Sequence, residues 1–299
     1  MTIAPFPLAS AMQQVAADVD AFFDVLLDVP ADPRAKLFEA MRHASIGGGK
    51  RLRPLLVQAS SQLFNLDRNC ALRVGVAVEC IHVYSLVHDD LPCMDDDDLR
   101  RGRPTVHRQF DEATAVLSGD SLHALAFEVL ADPATHPDPF IRVELMAELA
   151  RASGASGMAG GQMMDLEAEE ADFDLPTVTR LQQLKTGALI AFSVEAGAIM
   201  ARVAPEGRTR LRAYARDLGL AFQIADDLLD VEGSEERTGK AVGKDAACGK
   251  ATFVSLLGVE RARQQAHILI DQAVEHLSGF GQEADLLRAI AQYVIERDH

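Results

Sequence analysis

The chain has 299 residues, of which 48% are hydrophobic, and it carries a formal net charge of −16 at pH 7. That apolar fraction can build a sizeable core and excludes intrinsic disorder. The lack of a basic surplus excludes general nucleic-acid binding, whereas a small phosphorylated ligand needs only a local basic cluster.

The N-terminus and the cysteines exclude further classes of protein. The stretch "MTIAPFPLAS" has neither a basic nor an apolar region, so we expect no signal peptide. We also expect no membrane insertion, since no run of about 18 apolar residues is apparent. The four cysteines show neither a CxxC spacing nor a paired histidine pattern, which argues against a structural zinc site or a disulfide framework. These features are typical of a cytoplasmic protein.

Most of the chain is predicted to be helical, because segments rich in Ala, Leu, Glu and Arg are separated by prolines near their ends. The predicted helices are residues 10–29, 34–45, 52–64, 69–90, 108–131, 139–156, 176–203, 206–231 and 251–277. Residues 69–90 and 187–201 are apolar on almost every face, so other helices must surround them. With no linker-like composition between segments, the sequence predicts one all-α domain over residues 1–299 with buried central helices.

The first motif with chemical meaning is "GGGKRLRP", in which Lys50, Arg51 and Arg53 follow three glycines. It stands at a predicted helix start, where backbone N–H groups attract phosphate. It is not a Walker A loop, because an arginine and not Ser or Thr follows the lysine. Exposed surface charge is the commoner fate of Lys and Arg, so the motif by itself is only a candidate anion site.

Six aspartates fall within ten residues of the next motif, "HDDLPCMDDDDLRRGRP", directly after an apolar helix. Asp89 and Asp95 are six residues apart, a spacing that does not keep one face of an ideal helix. Pro92 lies between them and should break the helical register. We therefore expect the chain to fold Asp95 back toward Asp89.

A second acidic cluster, "DDLLD", ends another apolar helix. Asp226 and Asp230 are four residues apart, so their carboxylates share a helix face and could hold one hard cation. Carboxylates at a helix C-terminus oppose the helix dipole at a cost of about 0.3–1 kcal/mol each. One acidic run would be read as a solvated surface, but two runs after two apolar helices indicate divalent cations. All-oxygen sites of this kind suit magnesium.

Basic residues stand beside both clusters and predict an anionic ligand for the bound metal. They are Arg100, Arg101 and Arg103 in "RRGRP", Lys185 in "KTGAL", and Lys240, Lys244 and Lys250 after the second cluster. Each could be a plain surface charge. Their repeated position beside acidic clusters or glycine turns favours binding roles.

Together these motifs resemble the trans-isoprenyl diphosphate synthases. "HDDLPCMDDDDLRRG" resembles the first aspartate-rich motif of that family in its bacterial form, and "DDLLD" resembles the second. "GGGKRLRP", "GDSLHALAFEVL", "GGQMMDLEAE", "LKTGAL", "FQIADD" and "GKDAACGKATFVSLLG" match in kind and order, so the resemblance covers residues 20–299. It implies a helical bundle of the isoprenoid synthase type around a deep cavity. It also implies a homodimer that condenses isopentenyl diphosphate with an allylic diphosphate, using Mg²⁺.

The resemblance also implies roles for individual residues. Three magnesium ions would be held by Asp89, Asp95 and Asp226, with Asp90 and Asp230 as neighbouring carboxylates. The protein ligands of the allylic diphosphate would be Arg100, Lys185 and Lys240. Those of isopentenyl diphosphate would be Lys50, Arg53, His82 and Arg101. Thr186 and Gln223 would help to stabilise the developing carbocation. The stretch "VEGSEERTGK" departs from the family pattern by its extra charges, Glu235, Glu236 and Arg237.

Product length is predicted from one side chain. Tyr84 lies five residues before Asp89, roughly 7.5 Å along a helix, where a growing prenyl tail would meet its ring. In the family a large aromatic residue there resembles farnesyl diphosphate synthases, and a smaller one resembles synthases of longer chains. Ser85 is small and should block little. We predict farnesyl diphosphate as the product, with geranylgeranyl diphosphate as the alternative; the simpler interpretation of Tyr84 is a core residue.

Rival functions account for fewer motifs. An HD-type metal phosphohydrolase would use the dipeptide His88-Asp89 but leaves "DDLLD" and the basic cluster unexplained. A terpene cyclase would need an N-D-x-x-S-x-x-x-E motif where "DDLLD" stands. A non-catalytic metal-binding protein or a regulatory prenyltransferase subunit would not need both aspartate motifs together with Lys185 and Lys240.

Overall fold

The computed structural model describes residues 8–168, 171–232 and 251–296, and most of these residues are helical. The helices are α1 (Leu8–Leu26), α2 (Ala35–Ser45), α3 (Leu52–Gln62), α4 (Arg68–Asp89), α5 (Val106–Gln109), α6 (Glu112–Ala131), α7 (Pro139–Ser153), α8 (Met158–Glu167), α9 (Leu175–Gln182), α10 (Ala188–Met200), α11 (Thr209–Glu232), α12 (Phe253–Leu257), α13 (Val259–His276) and α14 (Asp285–Glu296). Two two-residue strands, β1 (Leu99–Arg100) and β2 (Arg103–Pro104), pair antiparallel. The predicted all-α class is confirmed.

The chain forms two compact units. The first unit comprises Ala9–Gln58 and Asp67–Met146, and the second comprises Ala59–Leu66 and the residues from Ala147 onward. The organisation as one functional domain over residues 1–299 stays a prediction.

Helix α4 is the centre of the first unit and packs against α6 and α2. It begins at Asp67, whose carboxylate accepts hydrogen bonds from the backbone N–H groups of Asn69 and Cys70 and so caps the helix start. Gly75 allows close packing within this unit, because a Cβ at that position would lie 3.2 Å from the backbone of Pro54. The helix is buried along most of its length, as its all-round apolar sequence predicts.

By length and hydropathy, α4 also meets the criterion for a membrane-spanning helix, contrary to the expectation that no segment does. Most of that stretch is buried within the protein. Burial inside a helical core demands the same apolar composition as burial in lipid, so composition alone cannot separate the two.

Helix α11 organises the second unit and packs against α13, α10 and α14. Its Tyr214 is fully buried, and the phenol hydroxyl donates to the carbonyl oxygen of Leu287 at 2.7 Å. In α10, Gly197 lies against the backbone of Ser60, where a Cβ would approach within 2.4 Å. The second apolar helix of the sequence is therefore also buried, and its glycine is required by that contact.

Three predicted helices are interrupted. Segment 108–131 divides into α5 and α6, with Asp111 capping α6. Segment 176–203 contains a π-helical turn at Gln183–Gly187 between α9 and α10. Segment 251–277 divides into α12 and α13 at Gly258, whose φ of 79° is left-handed and ends the first of these helices. Helices α8 and α14 and the hairpin were not predicted from the sequence.

Candidate active site

The first acidic cluster begins where α4 ends. Asp89 is the last residue of the helix, and the backbone N–H of Asp95 donates to the carbonyl oxygen of Asp89 at 2.8 Å. The chain therefore turns back after Pro92, which confirms the expectation that this segment folds Asp95 toward Asp89. Asp89 is half-buried and Asp95 is exposed.

Three other aspartates of this cluster, Asp90, Asp97 and Asp98, have basic partners. The carboxylate of Asp90 is buried and accepts from Arg100 Nε at 2.7 Å. Asp97 lies 3.7 Å from the same guanidinium group, and Asp98 pairs with Arg108 at 2.7 Å. Asp90, expected beside the metal, and Arg100, expected at the allylic diphosphate, are thus partners in this structure. Asp97 and Asp98 hold the loop through ion pairs.

The donor set of the clusters fits magnesium. Asp89 and Asp95 offer carboxylate oxygens in the first unit, and Asp226 and Asp230 offer them from one face of α11 in the second. Within the described ranges, no three His, Cys, Asp or Glu side chains converge as a ready metal site. Mg²⁺ is usually held by one or two carboxylates together with water and substrate phosphates. These residues therefore fit a magnesium ion that binds with an anionic ligand.

The hairpin after the acidic cluster presents its arginines through a tight turn. Arg100 pairs with Arg103 across the hairpin, and the two turn residues, Arg101 and Gly102, both have positive φ, 54° and 73°. Positive φ at both central residues is the signature of a type I′ turn, which suits the twist of a two-residue hairpin. The "RRGR" spacing therefore separates two neighbouring arginines: Arg100 lies in a strand and Arg101 in the turn.

Arg101 lies against the glycine loop of "GGGKRLRP". A Cβ at Gly49 would fall 2.4 Å from Arg101 Nη1, and one at Gly48 would fall 3.5 Å from it. Arg101 forms no hydrogen bond or ion pair within the described parts of the chain. Because Gly48 and Gly49 have no side chains, the Arg101 guanidinium group packs directly on their backbone. The guanidinium group and the backbone N–H groups can then contact the same anion.

His82 is surrounded by cations. Burial holds the pKa of its imidazole well below the ordinary value, and four nearby guanidinium groups lower it further. In order of effect these belong to Arg53, Arg101, Arg100 and Arg51. His82 is therefore neutral at pH 7 and can donate one hydrogen bond. The structure brings together three of the residues expected at isopentenyl diphosphate, His82, Arg53 and Arg101.

A cavity of about 80 Å³ opens beside this cluster within the first unit. Its apolar wall comes from α4 and comprises Val83, Leu86 and Val87, and its cationic rim comprises Arg100, Arg101 and Arg103. His43 of α2 also lines it, donating from Nε2 to the carbonyl oxygen of Pro104 at 2.8 Å while Nδ1 accepts from Arg103 at 3.0 Å. His43 was not predicted as a site residue, since nothing in "AMRHASIGGGK" distinguishes it from a surface histidine.

Tyr84 belongs to a set of rings shared by α4 and α6. Its ring centroid lies 4.9 Å from that of His123 and 5.8 Å from that of His88, and His123 also contacts Phe127 at 5.4 Å. Tyr84 is half-buried, and burial together with the charge of Asp89 raises the pKa of its phenol. Ser85, the next residue, donates to the carbonyl oxygen of His82 at 2.9 Å. The ring of Tyr84 is thus held by neighbours on both helices.

His88 has a packing role. Its Nε2 lies 3.0 Å from the carbonyl oxygen of Val116, and the imidazole fills a notch at Gly119, where a Cβ would lie 2.0 Å from Nε2. The imidazole of His88 therefore packs α4 against α6.

In the second unit, Lys185 and Thr186 lie in the π-helical turn. Such turns occur frequently at functional sites, because they redirect side chains out of the helical register. The ammonium group of Lys185 donates to Asp165 of α8 at 2.7 Å, and both side chains are largely buried. Asp165, which lies in "GGQMMDLEAE", is a contact that the sequence analysis did not single out.

Thr186 is linked to the second acidic cluster by hydrogen bonds. Its hydroxyl donates to Gln223 Oε1 at 3.3 Å, and Gln223 Nε2 donates to Asp227 Oδ1 at 3.0 Å. The second oxygen of Asp227 accepts from the backbone N–H of Phe253 at 2.8 Å, which starts α12. Because a carboxylate only accepts, Asp227 fixes the amide of Gln223 with its carbonyl oxygen toward Thr186. Asp227 is therefore buried and structural, whereas Asp226 and Asp230 are half-buried.

Replacing Gly161 by Ala is expected to disturb the π-helical turn. A Cβ at Gly161 would lie 2.1 Å from the backbone nitrogen of Lys185, which cannot move without shifting the turn. We expect a stability loss of about 1–3 kcal/mol, typical of overpacking, and a lower kcat of the reaction proposed below. Thermal unfolding and steady-state kinetics measure the two effects. The control is Gly187→Ala, whose Cβ would make an ordinary 3.5 Å contact; equal losses in both variants would contradict this prediction.

Some predicted residues lie outside the described ranges. They are Lys240, Lys244, Lys250 and the charged residues Glu235, Glu236 and Arg237.

Comparisons with known proteins agree with these motifs. The family model described as polyprenyl synthetase matches residues 34–293. A farnesyl diphosphate synthase from Escherichia coli (strain K12) is 46% identical over 268 residues, 87% of this chain and 89% of the relative. An apo FPP/GFPP synthase structure from Zymomonas mobilis matches with a TM-score of 0.89 and 62% identity, covering 96% of this chain and 98% of that chain. A geranyltransferase from Helicobacter pylori, complexed with magnesium and isoprenyl diphosphate, matches with a TM-score of 0.86 and 31% identity, covering 99% and 100%.

Proposed function

The chain belongs to the polyprenyl synthetase family, and we propose that it condenses isopentenyl diphosphate with dimethylallyl or geranyl diphosphate to form farnesyl diphosphate. It is a prenyltransferase with the all-α isoprenoid synthase fold. The observation that carries the proposal lies in the first unit, where Asp95 folds back onto Asp89 and a cluster of guanidinium groups surrounds His82. A reaction between two diphosphates needs carboxylates to hold a metal and separate cations to hold the second diphosphate.

Isopentenyl diphosphate is assigned to the cationic cluster of Lys50, Arg53, His82 and Arg101. Arg101 is suited to this role because its guanidinium group lies on the glycine backbone and has no acceptor within the described ranges. Neutral His82 can donate a hydrogen bond without adding charge to an already cationic pocket. Binding the diphosphate would offset the repulsion between the cations that lie around His82.

The allylic diphosphate is assigned to Arg100, Lys185 and Lys240, together with magnesium at Asp89, Asp95 and Asp226. Bound magnesium supplies electrostatic stabilisation of the departing diphosphate. Arg100 is oriented by Asp90 and Lys185 by Asp165, so neither cation has to be ordered when the substrate arrives.

The reaction follows from these positions. The allylic C–O bond breaks and releases diphosphate, and the double bond of isopentenyl diphosphate attacks the resulting allylic cation to form the new C–C bond. The departing diphosphate then takes the proton whose loss restores a double bond in the longer allylic diphosphate. The hydroxyl of Thr186 and the carbonyl oxygen of Gln223 are assigned to stabilise the positive charge, with Asp227 keeping that carbonyl in place. An apolar surround, to which α4 contributes, excludes water that would quench the cation.

Further parts of the proposal rest on the family. We propose three magnesium ions for each active site, with Asp90 and Asp230 beside the ligands, and a homodimer as the working assembly. A cytoplasmic location and the absence of nucleic-acid partners follow from the expectations of composition and charge. Farnesyl diphosphate is the proposed product because of Tyr84, and geranylgeranyl diphosphate is the alternative.

One assay tests the function. Purified protein is incubated with magnesium, isopentenyl diphosphate and either dimethylallyl or geranyl diphosphate, and the products are separated by chromatography. We expect a farnesyl product that is lost when EDTA removes the metal. Release of inorganic phosphate from nucleotides without any prenyl product would favour a phosphohydrolase instead, and neither activity would favour a non-catalytic protein.

A further inference from the structure

Arg51 is a basic residue of "GGGKRLRP" that the proposed substrate sites do not use. Its side chain is 1% exposed, although it stands between two residues assigned to isopentenyl diphosphate. Arg51 Nη1 donates to Glu79 Oε1 at 2.7 Å, and Nη2 donates to Asp20 Oδ1 at 2.7 Å. Nη2 also donates to the carbonyl oxygen of Ser45. The arginine therefore joins three helices, α1, α2 and α4, beneath the glycine loop.

The backbone of Arg51 is held in an uncommon conformation. Its φ of 49° lies in the left-handed region, which non-glycine residues rarely adopt outside constrained turns. Such a conformation persists when surrounding contacts over-determine it. Here the contacts are the buried ion pair with Glu79 and the partly buried one with Asp20, and the residue that follows, Leu52, starts α3. The side-chain contacts of Arg51 thus fix where the loop ends and α3 begins.

Asp20 fastens the other end of the same loop. Its Oδ2 accepts from the backbone N–H of Gly47 at 3.1 Å while its Oδ1 accepts from Arg51. One carboxylate on α1 therefore holds both ends of residues 47–51. Glu79 lies three residues before His82 on α4, so the same network connects the loop to the helix that carries the histidine.

We propose that Arg51, Glu79 and Asp20 form an ion-pair clamp that positions the glycine loop for isopentenyl diphosphate. The clamp places the Gly48–Gly49 backbone against the Arg101 guanidinium group. Arg51 is a positioning residue, because its fully buried guanidinium group donates hydrogen bonds to protein acceptors. This inference rests on the proposed function, because it names what sets the affinity for one of the two substrates.

The charges around the clamp explain why removing Arg51 alone should displace Arg101. Burial lowers the pKa of Arg101, the carboxylate of Glu79 raises it, and Arg51 and Arg100 lower it. Glu79 is thus close enough to attract Arg101, but its carboxylate already forms an ion pair with Arg51. Without Arg51, a buried and uncompensated carboxylate would draw Arg101 away from the glycine backbone, because unpaired buried charge is strongly unfavourable.

The test separates positioning from stability. Arg51→Met leaves both carboxylates unpaired, whereas the double variant Arg51→Met with Glu79→Leu replaces the buried pair by apolar side chains. Replacing a whole buried ion pair in this way is often neutral for stability. We expect the single variant to unfold at a lower temperature and the double variant to recover. In both, we expect the KM for isopentenyl diphosphate to rise about tenfold to a hundredfold, as for the loss of hydrogen bonds to a charged group.

The expected signature is confined to one substrate. The KM for geranyl diphosphate and the kcat at saturating isopentenyl diphosphate should stay within about twofold of wild type, since the clamp does not contact the reacting atoms. Arg51→Lys, which keeps the charge but not the fork of donors, should give an intermediate KM. The control is Arg212→Met with Glu195→Leu, a more exposed Arg–Glu pair of the second unit that is joined at 2.7 Å. The KM of this control for isopentenyl diphosphate should equal that of the wild type.

The alternatives give different results. A folded double variant with wild-type KM for isopentenyl diphosphate would overturn the positioning role, as would an equal rise in the KM of both substrates. Failure of the wild-type protein to form any prenyl product would instead contradict the proposed function. If Arg51→Met does not fold, the double variant and Arg51→Lys decide the question.

Discussion

Replacing Asp89 by Ala, or Asp226 by Ala, is expected to lower the rate of condensation on the order of a thousandfold. Each change removes a carboxylate assigned to magnesium, and the charge on the departing diphosphate then loses its main stabilisation. The measurement is the initial rate of product formation from isopentenyl and geranyl diphosphates at saturating magnesium. Because Asp89 ends α4 and Asp226 lies in α11, the two variants test both units.

Folding should survive these changes. Asp89 opposes the helix dipole at the C-terminus of α4 and is attracted by Arg100, so the two effects partly cancel and its removal should change the unfolding temperature measured with EDTA only a little. What should disappear is the extra thermal stability that magnesium and inorganic diphosphate confer together on the wild-type protein.

Matched controls come from neighbouring carboxylates. Asp98→Ala removes an exposed aspartate of the same loop that pairs with Arg108, and Asp271→Ala removes an exposed aspartate of α13. Both controls should retain condensation close to the wild-type rate. A variant at Asp89 or Asp226 that condenses as fast as its control would remove that aspartate from the metal assignment.

Replacing Tyr84 by Ala is expected to lengthen the main product by one or two five-carbon units. The ring stands about 7.5 Å before Asp89 along α4, so removing it opens space along the helix where the prenyl tail would extend. The ring is also held in place by His123, at a centroid distance of 4.9 Å, and cannot swing aside in the wild-type protein. Chromatography of the dephosphorylated prenyl alcohols gives the product distribution directly.

The control for this prediction is the adjacent residue. Ser85→Ala removes a hydroxyl that bonds to the backbone of His82 and should leave the product length unchanged. His123→Ala removes the support of the tyrosine ring and should give a mixture in which longer products increase. The stability loss in Tyr84→Ala should be about 3 kcal/mol or less, because the ring is half-buried. An unchanged product distribution in a folded Tyr84→Ala protein would show that the ring is ordinary core.

The helices that the sequence predicted well are those with an unambiguous local signal. Segment 69–90 is bounded by the capping Asp67 and by Pro92, and the observed helix is Arg68–Asp89. Segment 176–203 reads as one helix because a π-helical turn needs no special residue type, and the turn forms where Gly161 packs against Lys185. Helix α14 was missed although its apolar face packs on α11, because a short amphipathic stretch near the end of a chain resembles many loops.

The sequence by itself determined the chemistry of this protein: which carboxylates stand at the ends of apolar helices, which cations accompany them, and that Pro92 must end α4. Those features are local, since they depend on residue type, spacing and backbone preference. Only the tertiary structure decided which role each basic residue has. Arg51, Arg100 and Arg101 look alike in the sequence, but one is buried between Glu79 and Asp20, one is paired with Asp90, and one rests on the glycine backbone. A charge takes its role from the groups that folding brings against it: the carboxylates paired with Arg51 and Arg100 lie 10–31 residues away along the chain, and Gly49 lies 52 residues from Arg101.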